Sequence, residues 1–225
     1  MRNFKNIGAW ILAVAALTLA GPDSVHFKAD ATDDLSFTYT NAQAADAINL
    51  MSIDSVKKIL ADRLDLFPMS RIPKLAKHVM NLCRKYSVDP AFVLSLIDVE
   101  SSFRTKVVSP VGAIGLMQLM PATAEHIADK FGIRYAGAKS LFDPFTNLTL
   151  GVAYLSVLRA KYQGYSPYFH IAAYNIGPAK LDELMAQKDF KPVNTKRYYD
   201  KIRLGVPRLR FYRGNAKAKR QSPPI

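Results

Sequence analysis

Apolar residues recur at helical spacing along most of the chain beyond position 50. Leu50, Ile53, Val56, Leu60 and Leu64 predict one amphipathic helix after a polar, Ala-rich lead, and Phe67-Pro68 ends it. From Arg71 the pattern strengthens: Ile72, Leu75, Ala76, Val79, Met80 and Cys83 keep i, i+3, i+4 spacing up to Tyr86. Cys83 falls on that apolar face, which predicts a buried, inert thiol. Asp89-Pro90 opens the next helix, because Asp caps well and Pro suits the first helical position. Gly112 and Gly115 break the following stretch. Pro121 to Phe131 is a helix closed by Gly132, and Asp143-Pro144 opens a long one through Leu148, Val152, Leu155 and Leu158 to Tyr162. Three more follow: Tyr168 to Asn175, ended by Gly177-Pro178, then Leu181–Met185 and Thr195–Leu204. No alternating run bounded by hairpin turns occurs, so the predicted class is all-α, with short loops around one core.

The two ends differ from this body. Arg2 and Lys5 precede an uncharged apolar run, Ile7 to Leu19, followed by small residues at Thr18-Leu19-Ala20 and Ala29-Asp30-Ala31. That order predicts an export signal over residues 1–31. As a helix the run spans about 20 Å, short against a hydrocarbon core of about 30 Å; an uncleaved anchor is the competing reading. Residues 32–70 form an N-terminal helical or linker segment, 71–205 the main domain, and 206–225 a basic flexible tail.

Composition narrows the classes. Of 225 residues 49% are hydrophobic and 22% charged, which excludes a mainly disordered chain. One Cys excludes an intrachain disulfide and a Cys-based zinc site. The net charge of +13 suggests an anionic partner. Six cations and no acid lie between Val206 and Ile225 (Arg208, Arg210, Arg213, Lys217, Lys219, Arg220), so the tail holds about half the excess. It reads as a solvated tail or as a contact to anionic wall polymer or lipid headgroups. Nucleic acid is not expected, since no zinc-finger spacing or basic-aromatic RNA motif is present.

Only three of the 18 acids are Glu: Glu100, Glu125 and Glu183. Val93, Leu96, Ile97 and Glu100 stand at i, i+3, i+4 and i+7, which puts Glu100 where a core residue belongs. Burial there disfavours the charged form, and the helix C-terminus pushes the same way. A carboxylic acid kept protonated near neutral pH is what a general acid for glycosidic cleavage needs. A structural carboxylate paired with a buried Arg would occupy the same place.

The neighbouring residues decide between these. Glu100-Ser101-Ser102-Phe103 is followed by Ser109-Pro110-Val111-Gly112-Ala113-Ile114-Gly115-Leu116-Met117-Gln118-Leu119-Met120-Pro121, and later by Ala173-Tyr174-Asn175-Ile176-Gly177-Pro178. In order and spacing these resemble the catalytic domain of soluble lytic transglycosylases, over roughly Ile72 to Gly205. The resemblance implies a single compact, lysozyme-like (goose-type) helical domain with a substrate cleft. It also implies cleavage of peptidoglycan between N-acetylmuramic acid and N-acetylglucosamine without water, leaving 1,6-anhydro ends. By the match Glu100 is the catalytic acid and then the base. Ser101, Met117, Gln118, Tyr174 and Asn175 match residues that border the sugars. Tyr198, in Thr195-Lys196-Arg197-Tyr198-Tyr199, aligns with a Tyr that hydrogen-bonds the catalytic Glu; Asn194 and Tyr199 depart from the family's Glu and Val.

The alternatives are a hydrolytic muramidase of the same fold and a non-catalytic wall-binding scaffold. A hydrolase benefits from a second carboxylate, and Asp98, Asp143 and Glu125 do not offer an obvious one. The four His show no ligand spacing, and neither a G-x-S-x-G elbow nor a phosphate loop occurs, so no metal or organic cofactor is implied. The partner expected is peptidoglycan glycan, met by a monomer exported to the periplasm or cell envelope.

Overall fold

The computed structural model describes residues 50–187 and 193–213. The candidate signal segment 1–31 and the tail beyond residue 213 lie outside them. Eight α-helices run in order among the described residues: α1 Ile53–Arg63, α2 Ile72–Lys85, α3 Pro90–Ser101, α4 Pro121–Phe131, α5 Pro144–Lys161, α6 Pro167–Ile176, α7 Pro178–Met185 and α8 Val193–Arg210. Short 3-10 turns at Met69–Arg71 and Ala138–Phe142 lie between them, and two isolated antiparallel bridges, Val108 to Ile114 and Ile114 to Leu119, stand among the described residues.

Sequence chemistry starts and stops these helices. Pro occupies the first turn of α2 through α7, where its missing N–H costs nothing. Ser52, Asp89, Asp143 and Ser166 cap α1, α3, α5 and α6 by accepting backbone N–H groups. Gly132 ends α4 in the left-handed conformation.

Helix α3 is central. Every residue from Pro90 to Ile97 is buried, so the helix is enclosed all round rather than along the one predicted stripe. It packs most extensively against α8, with α2 on another side. At the α3–α8 crossing, Ser95 Oγ donates to the Ile202 carbonyl at 2.7 Å, and Gly205 lies against the same Ser95. Helix α5 buries Asn147, Leu148, Leu150, Gly151, Val152, Ala153, Leu155 and Leu158, and contacts α2, α4 and α6.

Two sequence boundaries move. Helix α1 buries Val56, Ile59 and Leu60 in the common core and packs on α2, so residues from Met51 onward belong to the domain. Helix α8 continues to Arg210, five residues into the predicted tail. Val206 and Leu209 are buried, Arg208 pairs with Asp98, and Arg210 pairs with the buried Asp89. These partners lie about 110 residues or more away in the chain, which is why local pattern did not show them. Cys83 is fully buried and burial pushes its thiol up, so it stays a protonated core residue.

Candidate active site

Glu100 occupies the last turn of α3. The helix stops just beyond it because Ser102 and Phe103 both adopt positive φ, 52° and 63°. The Phe103 ring turns inward and is fully buried, with the Arg63 guanidinium 4.9 Å from its centroid. The chain then enters the segment from Arg104 to Met120, which folds back on itself through Gly115 N to Val107 O at 3.0 Å and a reciprocal pair between Ile114 and Leu119.

The Glu100 carboxyl is half-buried, and Tyr198 on α8 donates its hydroxyl to Oε1. Burial pushes the carboxyl up from 4.5 to about 7, against the smaller opposing pull of the Tyr198 hydrogen bond. Burial also holds the Tyr198 and Tyr174 hydroxyls well above their ordinary value, and the nearby Glu100 charge adds to this. Tyr174, on α6, donates its hydroxyl to the Met117 carbonyl at 2.8 Å. The Tyr154 ring from α5 packs on it with centroids 5.3 Å apart. A carboxyl so placed can hold and release a proton near neutral pH, beside the neutral phenols of Tyr198 and Tyr174.

The structure sorts the sequence-predicted residues into three groups. Glu100, Tyr198 and Tyr174 come together as described. Gln118 and Asn175 border solvent: Gln118 is half-buried with φ of 47°, and its amide donates to the Gly115 carbonyl at 2.9 Å and the Val107 carbonyl at 3.3 Å. Asn175 is exposed at the end of α6. Ser101 and Met117 turn inward instead. The buried Ser101 hydroxyl donates to the Ile97 carbonyl of its own helix at 3.1 Å. The Met117 side chain is fully buried against Gly151 of α5, so Met117 meets the site only through its carbonyl. Of the two methionines flanking Gln118, Met120 is the accessible one, at 41% exposure.

Two residues of the site were not singled out from the sequence. Tyr154 read as part of an apolar helix. Asn147 is fully buried, donating to the Ile114 carbonyl at 2.8 Å and the Leu141 carbonyl at 3.0 Å, and accepting from Met117 N at 2.8 Å. The available signal was an amide at i with Gly151 and Leu155 at i+4 and i+8, a polar residue on a core stripe.

The remaining acids close to Glu100 in sequence or expected near it are engaged or outward. Asp98 pairs with Arg63 and Arg208, Asp143 caps α5, and Glu125 is exposed. His170 is half-buried against Phe92, and desolvation pushes its imidazole down to about 3, which leaves it neutral. Among the described residues no three His, Cys, Asp or Glu cluster so as to hold a metal ion, and no helix is long and apolar enough to cross a membrane.

Comparison with known proteins bears on the family and the fold. The chain is 38% identical over 99 residues to the soluble lytic murein transglycosylase of Salmonella typhimurium, covering 44% of this chain and 15% of that one. It is 39% identical to the membrane-bound lytic murein transglycosylase C of Histophilus somni, over 40% of this chain and 29% of that one. The match thus spans less than a third of either relative's length. The 70 kDa soluble lytic transglycosylase of Escherichia coli shares the fold, with a TM-score of 0.53 and 22% identity over 80% of this chain and 32% of that one. The model of the transglycosylase SLT domain matches residues 79–196, just over half of the sequence, from the middle of α2 to the first turn of α8 and including Glu100, Gln118 and Tyr174, and the chain belongs to that family.

Proposed function

We propose that this chain is a peptidoglycan lytic transglycosylase, with Glu100 as its single catalytic acid and base. The observation that carries the reading is a half-buried carboxyl raised to about 7 that also accepts the Tyr198 hydroxyl. Protonated Glu100 gives its proton to the glycosidic oxygen, and the bond from that oxygen to C1 of the muramic acid breaks. The developing cation at C1 is stabilised by the sugar's own acetamido group. The Glu100 carboxylate then takes the proton of the C6 hydroxyl, and that oxygen bonds to C1 to close the 1,6-anhydro ring. The Tyr198 hydrogen bond favours the carboxylate formed between the two steps. Gln118, Tyr174, Asn175 and the exposed Met120 would border the sugars, with Ser101 and Met117 acting from behind as packing.

Engagement of Asp98 by two arginines supports the lyase over a hydrolase, since that carboxylate, two residues from Glu100, is not free to activate water. The relatives' names, both murein transglycosylases, point the same way. An exported monomer acting in the periplasm or envelope fits this substrate, with the basic residues beyond 213 meeting anionic wall or lipid. Digestion of purified sacculi followed by product mass spectrometry tests the reading. Anhydro ends are expected, and reducing ends that carry added water would assign a hydrolase. Glu100→Gln should abolish lysis and keep binding; undiminished lysis would remove Glu100 from its role.

A further inference from the structure

We infer that Asn147 is a positioning residue that fixes the turn carrying Met117 and Gln118 onto α5, and through the Met117 carbonyl sets the place of Tyr174 beside Glu100. The inference rests on the proposed role of Glu100 for its link to catalysis. An amide buried without partners would be costly, by about 1–3 kcal/mol per unsatisfied group. Asn147 instead makes three hydrogen bonds of the four its amide allows. Two of them bracket one turn. Gln118 N bonds the Gly115 carbonyl at 3.2 Å to close it, while Asn147 takes the Ile114 carbonyl just before and the Met117 N–H within.

Local sequence is shaped around this amide. A Cβ on Gly115, which has φ of +79°, would lie 2.4 Å from Asn147 Nδ2, so only glycine lets the turn approach. One helical turn along α5, Gly151 leaves room for the Met117 side chain; a Cβ there would lie 2.4 Å from its Sδ. The turn is therefore held to α5 by its backbone and by its buried side chain. The Met117 carbonyl so fixed accepts the Tyr174 hydroxyl at 2.8 Å. Asn147 touches no group that reacts.

The variants Asn147→Asp and Val56→Ala separate positioning from bulk stability. Asp keeps the shape and the acceptor but loses both donors; Val56→Ala opens a core cavity on α1, outside the site. Two readouts are used on the full chain: amide hydrogen exchange, and kcat and KM on solubilised glycan strands. Asn147→Asp should speed exchange at Met117 and Leu119 at least tenfold while α3 amides hold. It should lower kcat at least tenfold per folded molecule with KM changed less than threefold. Val56→Ala should leave kcat per folded molecule within twofold of the parent. Should Asn147→Asp fail to fold, Tyr174→Phe tests the far end of the same relay and should reproduce the loss in kcat. Uniform exchange changes, activity lost only in proportion to unfolded protein, or parental kcat in Tyr174→Phe would overturn the inference. If Asn147→Asp shows the exchange pattern but the parent has no transglycosylase activity, the proposed function fails while the placement of the turn stands.

Discussion

Tyr198 donates its hydroxyl to the Glu100 carboxylate from 98 residues further along the chain, joining the ends of α3 and α8 at one proton. Two opposing effects meet there. Burial favours the neutral acid, the hydrogen bond favours the anion, and burial prevails to leave the carboxyl at about 7. A general acid must carry its proton, so kcat/KM should fall as pH rises through about 7. At pH 8 about a tenth of the enzyme remains protonated, and the rate should drop to about that fraction of its plateau. Tyr198→Phe removes the donor that favours the anion and should move the midpoint to higher pH. A pH profile of both proteins on solubilised glycan strands measures this; a flat profile between pH 6 and 8 would contradict it.

The same raised acidity constant has a cost in stability. Between 4.5 and about 7 the folded chain keeps a proton on Glu100 that the unfolded chain has released. The folded state binds more protons there, so stability falls as pH rises through that window. Above about 7 the full penalty is present, and below 4.5 it is absent. Glu100→Gln abolishes the titration and still offers an oxygen to Tyr198. It should therefore be more stable than the parent at pH 8, by about 1–3 kcal/mol given the group's partial exposure. The two should be equal at pH 4. Denaturant melts at the two pH values check the difference, and an equal gain at both would assign it to packing instead.

Helix order and the key acid were legible because both are local. Caps, prolines and 3.6-residue periodicity lie within a few residues of what they control, and Glu100 on an apolar stripe announces itself by its polarity. The inward turn of Ser101 and Met117 was not legible, since motif membership does not distinguish a side chain facing sugar from one facing the core. Met117 faces inward because Gly151, 34 positions on, leaves space for it. Asn147 was hidden for the same reason: its three partners lie on two separate segments, and an amide on a helix has no meaning until they meet it. The end of α8 was misjudged because a run of cations looks solvated until its acids, Asp89 and Asp98, are brought to it.

The α3–α8 crossing that places Tyr198 on Glu100 depends on Gly205. A Cβ at that position would lie 2.1 Å from Ser95 Oγ and 3.2 Å from its Cβ. Gly205→Ala should force the helices apart, at a cost of about 1–3 kcal/mol, and lower kcat by stretching the Tyr198 contact. Ser95→Ala alone loses the bond to the Ile202 carbonyl, worth about 1 kcal/mol. In the double variant the offending oxygen is gone and only the 3.2 Å contact remains. A double-mutant cycle should show the pair more stable than the sum of the singles. Simple additivity would mean that the crossing adjusts elsewhere.

The C-terminal boundary gives the sharpest contrast between pattern and packing. A chain ending at residue 205 loses Val206 and Leu209 from the core, each worth about 1.5–3 kcal/mol. It also removes Arg210, which pairs with the carboxylate of Asp89, a side chain 1% exposed that caps α3 at Ala91 N. Removing one partner of a buried ion pair costs up to about 3–5 kcal/mol. Together these approach the whole stability of an ordinary domain, about 5–15 kcal/mol. A chain ending at residue 213 keeps all of these, with Lys58 on the Arg213 carbonyl at 2.7 Å and Tyr212 on Asp62 at 3.2 Å. The shorter chain should melt far below the full-length protein and lose activity through unfolding of α3. The longer should match full length in melting temperature and in kcat on soluble strands. Any loss it shows on intact sacculi alone would then belong to residues 214–225 as a wall contact, separating their role from that of α8.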